Sequence, residues 1–468
     1  MIRIRLSLAL LAVVALAIGA ITTAAASGKG RPAKGHQAAT TLTSATFSIG
    51  QPQATARGAP GCGSNPDGEP TAHVSAAGNV FVGSERGLGG GSDGWVGLGQ
   101  SGGASAQACA IDYAGQPNAV AGFGASGGDI DSAWAAAPGA NGNLALYVAS
   151  LNLGSVSVAH STDNGATFTN VPVQGGLPGD DREWIAAYGA STSLLTYHDI
   201  ATNNIDVLRS DDGGGTYIQT SQAIPPTDYK AMNNELGNIA IDRRNTSGAT
   251  PGQFWAYQAF VAASTPNGST LNEAFLAVTN DGGATWTDRP IPCSAATGAK
   301  GLDHNFPNVS VAPDGTVWYA WSNDTDVFTA TSTDHGATWT CSPAISTNTT
   351  NAIYPWLAAT SNGVDLVFYG APSGVKGTWY VYFAQDPTST ATGWAAPQQI
   401  VAVHAGAVCE GGITCTGGRQ LLDDFAIDTD PSGWAHIAFS HDAPNLGGSG
   451  TYTGYAVQTG GTQAGFPN

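Results

Sequence analysis

Four short stretches of this 468-residue chain gather side chains able to move protons or hold ions. Asp181-Arg182-Glu183-Trp184 sets a guanidinium between two carboxylates, a combination suited to holding a sugar acid or to acid–base chemistry. Tyr197-His198-Asp199 and His441-Asp442 each place a histidine beside a carboxylate, as a proton shuttle requires. Asp423-Asp424, together with Asp303, offers the hard oxygen ligands that calcium prefers, though no contiguous calcium-binding loop is present. Each stretch also has a plainer reading, as an ion pair that orders a loop or as solvated polar surface.

The elements that must position these residues are announced by repetition. The octet Ser332 to Trp339 (STDHGATW) recurs as Ser161 to Phe168 (STDNGATF), Ser210 to Tyr217 (SDDGGGTY) and Thr279 to Trp286 (TNDGGATW). In the shared pattern [ST]-x-D-x-G-x-T-aromatic, the Asp folds back onto backbone N–H groups, the Gly supplies a left-handed position, and the aromatic enters the core. Such turns join strands. Short apolar strands open at Ala72 to Ser75, Asp131 to Ala137, Trp184 to Tyr188, Asn238 to Ile241, Asn308 to Ala312, Trp356 to Ala359 and Phe425 to Asp428. Seven openings at this spacing predict an all-β, seven-bladed β-propeller. The last unit lacks a fourth strand, and Thr41 to Ile49, which alternates like a lone strand, is expected to supply it beside Thr453 to Val457 and so remove an exposed edge. Blade one has no such turn, and blade six carries only a degraded one between Asp386 and Trp394.

Propeller topology sorts the loops onto two faces. The loops entering first strands, and those between second and third strands, open opposite the repeated turns, where propeller ligand sites lie. Glu69, Asp129, Asp131, Asp181, Arg182, Glu183, Glu235, Asp303, His304, Asp423 and Asp424 sort to that face from the blade entrances. Glu85, Arg86, His198, Asp199, Asp324, Lys376, His441 and Asp442 sort there from the other loops. Arg57 and Arg419 join them, whereas Arg243 and Arg244 fall on the turn face.

The repeated octets resemble the Asp-box, or BNR, repeat of the sialidase superfamily, over essentially the whole chain beyond its first 40 residues. That resemblance implies a propeller whose boxes are structural, so Asp163, Asp212, Asp281 and Asp334 are not expected to be catalytic. Known sialidases have six blades, which makes six the alternative to the count of seven. The family uses arginines to hold the substrate carboxylate, an Asp as acid and a Tyr nucleophile paired with a Glu. On this chain the implied substrate-binding residues are Arg86, Arg182 and Arg419, and the implied catalytic residues are Asp181, Glu183 and Tyr197. The family's early [FY]-R-[IL]-P motif is replaced by Glu69-Pro70-Thr71-Ala72.

Composition bounds the partners. Only 11% of residues are charged and the net charge is −18, with five basic and no acidic residues among the first 40. The remainder is therefore more acidic still, which disfavours nucleic acid and anionic membranes and suits neutral sugars, cations or calcium. Arg3 and Arg5, the apolar run Leu6 to Ile21 and Ala24-Ala25-Ala26 read as a secretory signal over residues 1–26, followed by a polar linker over 27–40 and the propeller over 41–468. No later stretch reaches membrane-spanning length, so a secreted, extracellular monomer is expected. In an exported chain the six cysteines suggest disulfides, with Cys409–Cys415 and Cys62–Cys109 as natural pairs. The strand offset between Cys293 and Cys341 leaves their pairing open. Three function classes stand: an enzyme of glycoside hydrolase or polysaccharide lyase type acting on an extracellular glycan or sugar acid at the propeller mouth, a non-catalytic glycan- or protein-binding propeller, and a structural calcium-binding module. No cofactor other than calcium is suggested.

Overall fold

The computed structural model describes residues 42–465 apart from 88–89, 120–127, 153–154, 174–179, 245–252, 303–305 and 374–376. The expectations for residues 1–26 and 27–40, and for Asp303, His304 and Lys376, lie outside the described residues. Among those described, the strands form seven four-stranded antiparallel sheets, and one short α-helix spans Pro292–Thr297. The innermost strands are Gly68–Val74, Ile130–Trp134, Asp180–Tyr188, Asn234–Ile241, Asn308–Val311, Thr349–Thr360 and Ala426–Thr429, each containing or abutting one of the seven openings seen in the sequence. Each inner strand touches the next, and the last touches the first, so the sheets close into a ring. No helix among the described residues is long and apolar enough to cross a membrane.

Burial explains why these segments become strands. A second strand such as Val317–Ser322 (VWYAWS) is packed against neighbouring blades on both faces and is buried at every position. A continuous aromatic and β-branched run, rather than strict alternation, is what such a position selects. Fourth strands such as Ile218–Gln222 and Thr287–Pro290 form the rim and are largely exposed or half-buried. Polar side chains tie the inner strands together. The Asp131 carboxylate accepts from Thr71 Oγ1 (3.0 Å), His73 Nε2 (3.1 Å) and Ile185 N (2.9 Å), bonding blade two to both its neighbours. Asn308 Oδ1 accepts from Leu357 N at 2.7 Å, and Asp428 Oδ2 from Val74 N at 2.8 Å, across two further blade junctions.

The ring closes as the sequence suggests, with one adjustment. The N-terminal strand is Thr46–Gly50, and it pairs antiparallel with Tyr452–Gly460, matching Phe47 with Gln458 and Ile49 with Ala456. Among the described residues, the expected strand Thr41 to Ile49 is therefore seen from Thr46 to Gly50.

All four turns adopt the geometry their pattern requires. In the fifth blade Ser332 Oγ donates to Asp334 Oδ1 (2.8 Å), as does Thr338 N (2.8 Å), while Thr338 Oγ1 donates to Oδ2 (2.7 Å). Asp163, Asp212 and Asp281 repeat these contacts within 0.2 Å. Gly336 has φ +82, a left-handed conformation that a side chain resists.

The disulfides pair Cys62 with Cys109, Cys409 with Cys415 and Cys293 with Cys341. The third closes despite the expected offset, with Cα atoms 6.5 Å apart. Counting strand residues overstates the rise, because the fourth strand of blade four is only Thr287–Pro290 and the chain then turns into the helix. The fifth blade's turn also folds back on that strand, Arg289 Nη1 donating to the His335 carbonyl at 2.6 Å.

Candidate active site at the propeller mouth

At the end of the ring opposite the four turns lies a cavity of about 560 Å³. Nine residues sorted there by topology line it: Glu69, Glu85, Asp129, Asp181, Arg182, His198, Glu235, Arg419 and Asp423. Glu410 joins them from the loop clipped by Cys409–Cys415. Sequence reasoning passed over Glu410, although a short disulfide loop holding an acid was a signal for it.

The backbone turns several of these side chains inward. Inner strands carry a register shift near the mouth at Gly68/Thr71, Asp181/Glu183, Leu236/Ile239 and Ile353/Trp356. Three of these bulges hold a left-handed non-glycine residue, Glu69 (φ 53), Arg182 (φ 46) and Tyr354 (φ 55). Bulges re-aim a side chain that strand alternation would send to the wrong face, and such strained positions concentrate at functional sites.

Arg182 is the hub. Its side chain is 2% exposed, with the guanidinium 4.1 Å from the Trp184 ring and 5.0 Å from that of Phe306. Nη2 bonds to Asp424 Oδ2, while Nη1 stands 3.6 Å from Glu69 Oε1 and 3.8 Å from Asp129 Oδ1. Burial opposes its charge, but Asp424, Asp129 and Glu69 outweigh that and raise its pKa. Arg419 bonds to Asp423, and Arg86 Nε lies 3.8 Å from both Asp67 and Asp93. The three arginines expected to clamp a sugar carboxylate thus each face local carboxylates. Arg182 and Arg419 share the mouth, whereas Arg86 sits beside the Asp67–Asp93 pair.

Acid groups outnumber bases, and burial makes that costly. Asp181 is solvent-exposed at the rim of the cavity, where partial desolvation of its carboxyl, then the charge of Asp129, pushes it up to about 6; Glu85, which is buried, is pushed up to about 8 by burial and then Asp129. Burial and the Asp324 carboxylate push Glu410 up to about 9, and burial and Asp93 do the same for Asp67. Asp424 rises to about 7 because burial outweighs the pull of Arg182. A carboxyl near 6, lining an open cavity, can both give and take a proton near neutrality.

Other predicted residues have different surroundings. Glu183 is fully buried behind the mouth, both oxygens without a hydrogen bond among the described residues, and burial raises its pKa. Tyr197 pairs with Glu183 across the strands but sits in the core between blades two and three. Asp199 caps its own loop through Ala201 N (2.8 Å), and burial lowers the pKa of neighbouring His198. Asp442 is bonded not to His441 but to His404 Nδ1, at 2.7 Å. Asp424 and Asp423, two of the residues considered for calcium, are held by arginines. Arg57 is a correction: it donates to the Ala166 carbonyl at 2.6 Å, on the turn face, because the loop carrying it runs down the outside of blade one. Tyr354, absent from the sequence reading, has its pKa raised by burial and then by the charges of Glu410, Asp423 and Glu69. Its hydroxyl is buried and makes no hydrogen bond among the described residues.

No protein-family description and no curated protein matches the sequence. Solved structures similar to this chain include an ulvan lyase (TM-score 0.47, 10% identity, 87% of this chain and 94% of that one). Another is a xyloglucanase from Xanthomonas campestris (0.46, 14%, 87% and 55%), of which this chain spans about half the length. A third is an α-L-arabinofuranosidase from Fusarium graminearum (0.41, 12%, 89% and 98%). At these scores the likenesses do not bear on the chemistry of the mouth.

Proposed function

We propose that this chain is an exported, Asp-box type propeller that acts on an extracellular glycan at its acidic mouth, by hydrolysis of a glycosidic bond. The observation that carries the reading is Asp181, held near 6 in a solvent-connected cavity with other carboxylates around it. Asp181 in its protonated form gives the proton to the leaving glycosidic oxygen. Asp423 is the partner carboxylate: Arg419 holds one oxygen, and the other makes no hydrogen bond among the described residues. It acts on water or on the anomeric carbon from the opposite side. Dense acceptors suit a hydroxyl-rich neutral sugar or an amino sugar. A sialic acid carboxylate would meet arginines already neutralised by Asp424, Asp423, Asp67 and Asp93, so the sialidase version is the weaker one. Three disulfides support export.

The test is turnover of labelled neutral, amino-sugar, uronic-acid and sialic-acid oligosaccharides by the purified protein. Cleavage of a neutral or amino sugar, lost 10²–10⁴-fold in Asp181→Asn with binding retained, is the expected result. Binding without cleavage of any glycan would replace hydrolysis by recognition, and full activity in Asp181→Asn would remove the site.

A further inference from the structure

Away from the mouth, the channel at the centre of the ring holds a second cavity of about 130 Å³, whose lining includes His73, Arg243 and Asp428. His73 belongs to the inner strand of blade one, Gly68–Val74, and its side chain is 28% exposed. Its ring stands between two carboxylates from different blades. Nε2 is 3.1 Å from Asp131 Oδ1, on the inner strand of blade two, and Nδ1 is 3.8 Å from Asp428 Oδ2, on that of blade seven. A neutral imidazole carries a single N–H, so one of its nitrogens would turn a lone pair on a carboxylate. The imidazolium has an N–H at each nitrogen, and the two flanking acids therefore favour the charged ring.

Neither acid is free to swing away. Asp131 also accepts from Thr71 Oγ1 and Ile185 N, and Asp428 accepts from Val74 N at 2.8 Å and Thr429 N at 2.7 Å. Burial opposes a positive charge on His73, as does Arg243, which donates to the Trp134 carbonyl at 3.4 Å. The hydrogen bond to Asp131, with the charges of Asp131 and Asp428, outweighs both and raises the histidine's pKa. The other strands packed on Gly68–Val74 direct their titratable groups elsewhere. Glu85, on Val80–Glu85, lines the mouth; on Ala435–His441, His436 Nδ1 bonds to the Tyr455 hydroxyl and His441 Nδ1 accepts from Ala443 N. Tyr452–Gly460 carries no charged residue.

We propose that protonated His73 is a pH-sensitive brace of ring closure, tying blade one to blade two and to blade seven at once, and that loss of its proton releases the tie to blade seven. The asymmetry follows from the distances. The proton that remains stays on Nε2, at hydrogen-bond range of Asp131, while Nδ1 presents its lone pair to Asp428. Release therefore acts at the junction of blades seven and one, beside the blade that borrows its outer strand from the N-terminal end of the propeller. A histidine raised on folding stabilises the fold fully below its unfolded value, near 6.5, and ceases to as pH rises through its folded value. The ring is thus braced in mild acid and slackens in alkali. This inference is independent of whether the mouth cleaves a glycan.

The experiment is NMR titration of histidine-labelled, full-length protein from pH 5 to pH 9, with thermal melts over the same range, for wild type, His73→Gln and Asp428→Asn. Asp428→Asn keeps a carbonyl oxygen for Val74 N and removes only the charge. The expected result is one histidine that titrates above about 6.5 in wild type, is missing from His73→Gln, and titrates at least about half a unit lower in Asp428→Asn. Both variants should melt below wild type at pH 5.5, with the gap closing by pH 9. The displacement in Asp428→Asn identifies the resonance even where His73→Gln fails to fold. A midpoint at or below 6.5, a midpoint unmoved in Asp428→Asn, or a melting gap constant from pH 5.5 to pH 9 would overturn the proposal.

Discussion

Replacing Asp334 by alanine separates the scaffold from the mouth. The carboxylate accepts three hydrogen bonds, from Ser332 Oγ, Thr338 N and Thr338 Oγ1, at 2.7–2.8 Å. Bonds to a charged acceptor are worth more than neutral ones, but this turn lies at the surface, where water takes over much of their role. The net loss is on the order of 1–3 kcal/mol. For a propeller of this length melting as one unit, that lowers the midpoint by roughly 1–3 °C. The effect has a pH signature. Thr338, through its hydroxyl and then its amide, holds Asp334 down at about 2. A depressed carboxyl stabilises the fold above the ordinary carboxylate range, near 4, and loses that contribution as pH falls toward 2. Thermal melts of wild type and Asp334→Ala should therefore differ fully at pH 5–7 and converge as pH falls toward 2, with any activity at the mouth unchanged. A constant difference down to pH 2 would refute the electrostatic account. An unchanged melting temperature with loss of mouth binding would refute the division between the two faces.

Three further outcomes follow from the geometry. Deleting the strand Thr46–Gly50 removes its pairing with Tyr452–Gly460 and the Phe47–Phe383 contact, and should abolish the single sharp melt or drive the protein into oligomers by gel filtration; wild-type melting would show closure to be dispensable. Stability should fall as pH rises toward 9, because Asp424, Glu85, Asp67 and Glu410 are raised to about 7, 8, 9 and 9, and groups raised on folding stabilise below the ordinary carboxylate range and cease to as they ionise in the fold. Melting temperatures that rise over pH 5–9 would contradict this. Hydrolysis, once a substrate is found, should lose rate above about pH 6 as Asp181 gives up its proton, and a limb displaced by more than about two units would point to another acid.

The scaffold was legible because its rules are local. An octet that closes its own hydrogen bonds looks the same wherever it occurs, and each inner strand announces itself by a short apolar run. The mouth was legible by face, since loop order alone sends Asp181, Arg182, Glu85 and Asp423 to one end. What each side chain does there was not. Arg182 is matched to Asp424, 242 positions away, and no spacing rule links the two. The left-handed backbone at Glu69 and Tyr354 is equally hidden, because neither residue favours it and only the bulged inner strands impose it. Arg57 was misplaced, and the Cys293–Cys341 pairing left open, for a related reason: both readings took loops and fourth strands as straight extensions of the blade.

The manner of closure has a kinetic consequence. Contacts such as Thr43 N to Thr462 Oγ1 join residues 419 positions apart, far beyond the reach of any one blade. Six blades are built from neighbouring segments and can form as each is completed. The seventh must capture a strand from the far end of the sequence, and the entropy of closing so long a loop comes before any of its hydrogen bonds is gained. Until then the strand Tyr452–Gly460 presents an open edge that a second chain could occupy in place of Thr46–Gly50. Crowded refolding should thus favour strand exchange between molecules, while dilute refolding should favour the closed ring, so yield would depend on protein concentration more than on the stability of any single blade.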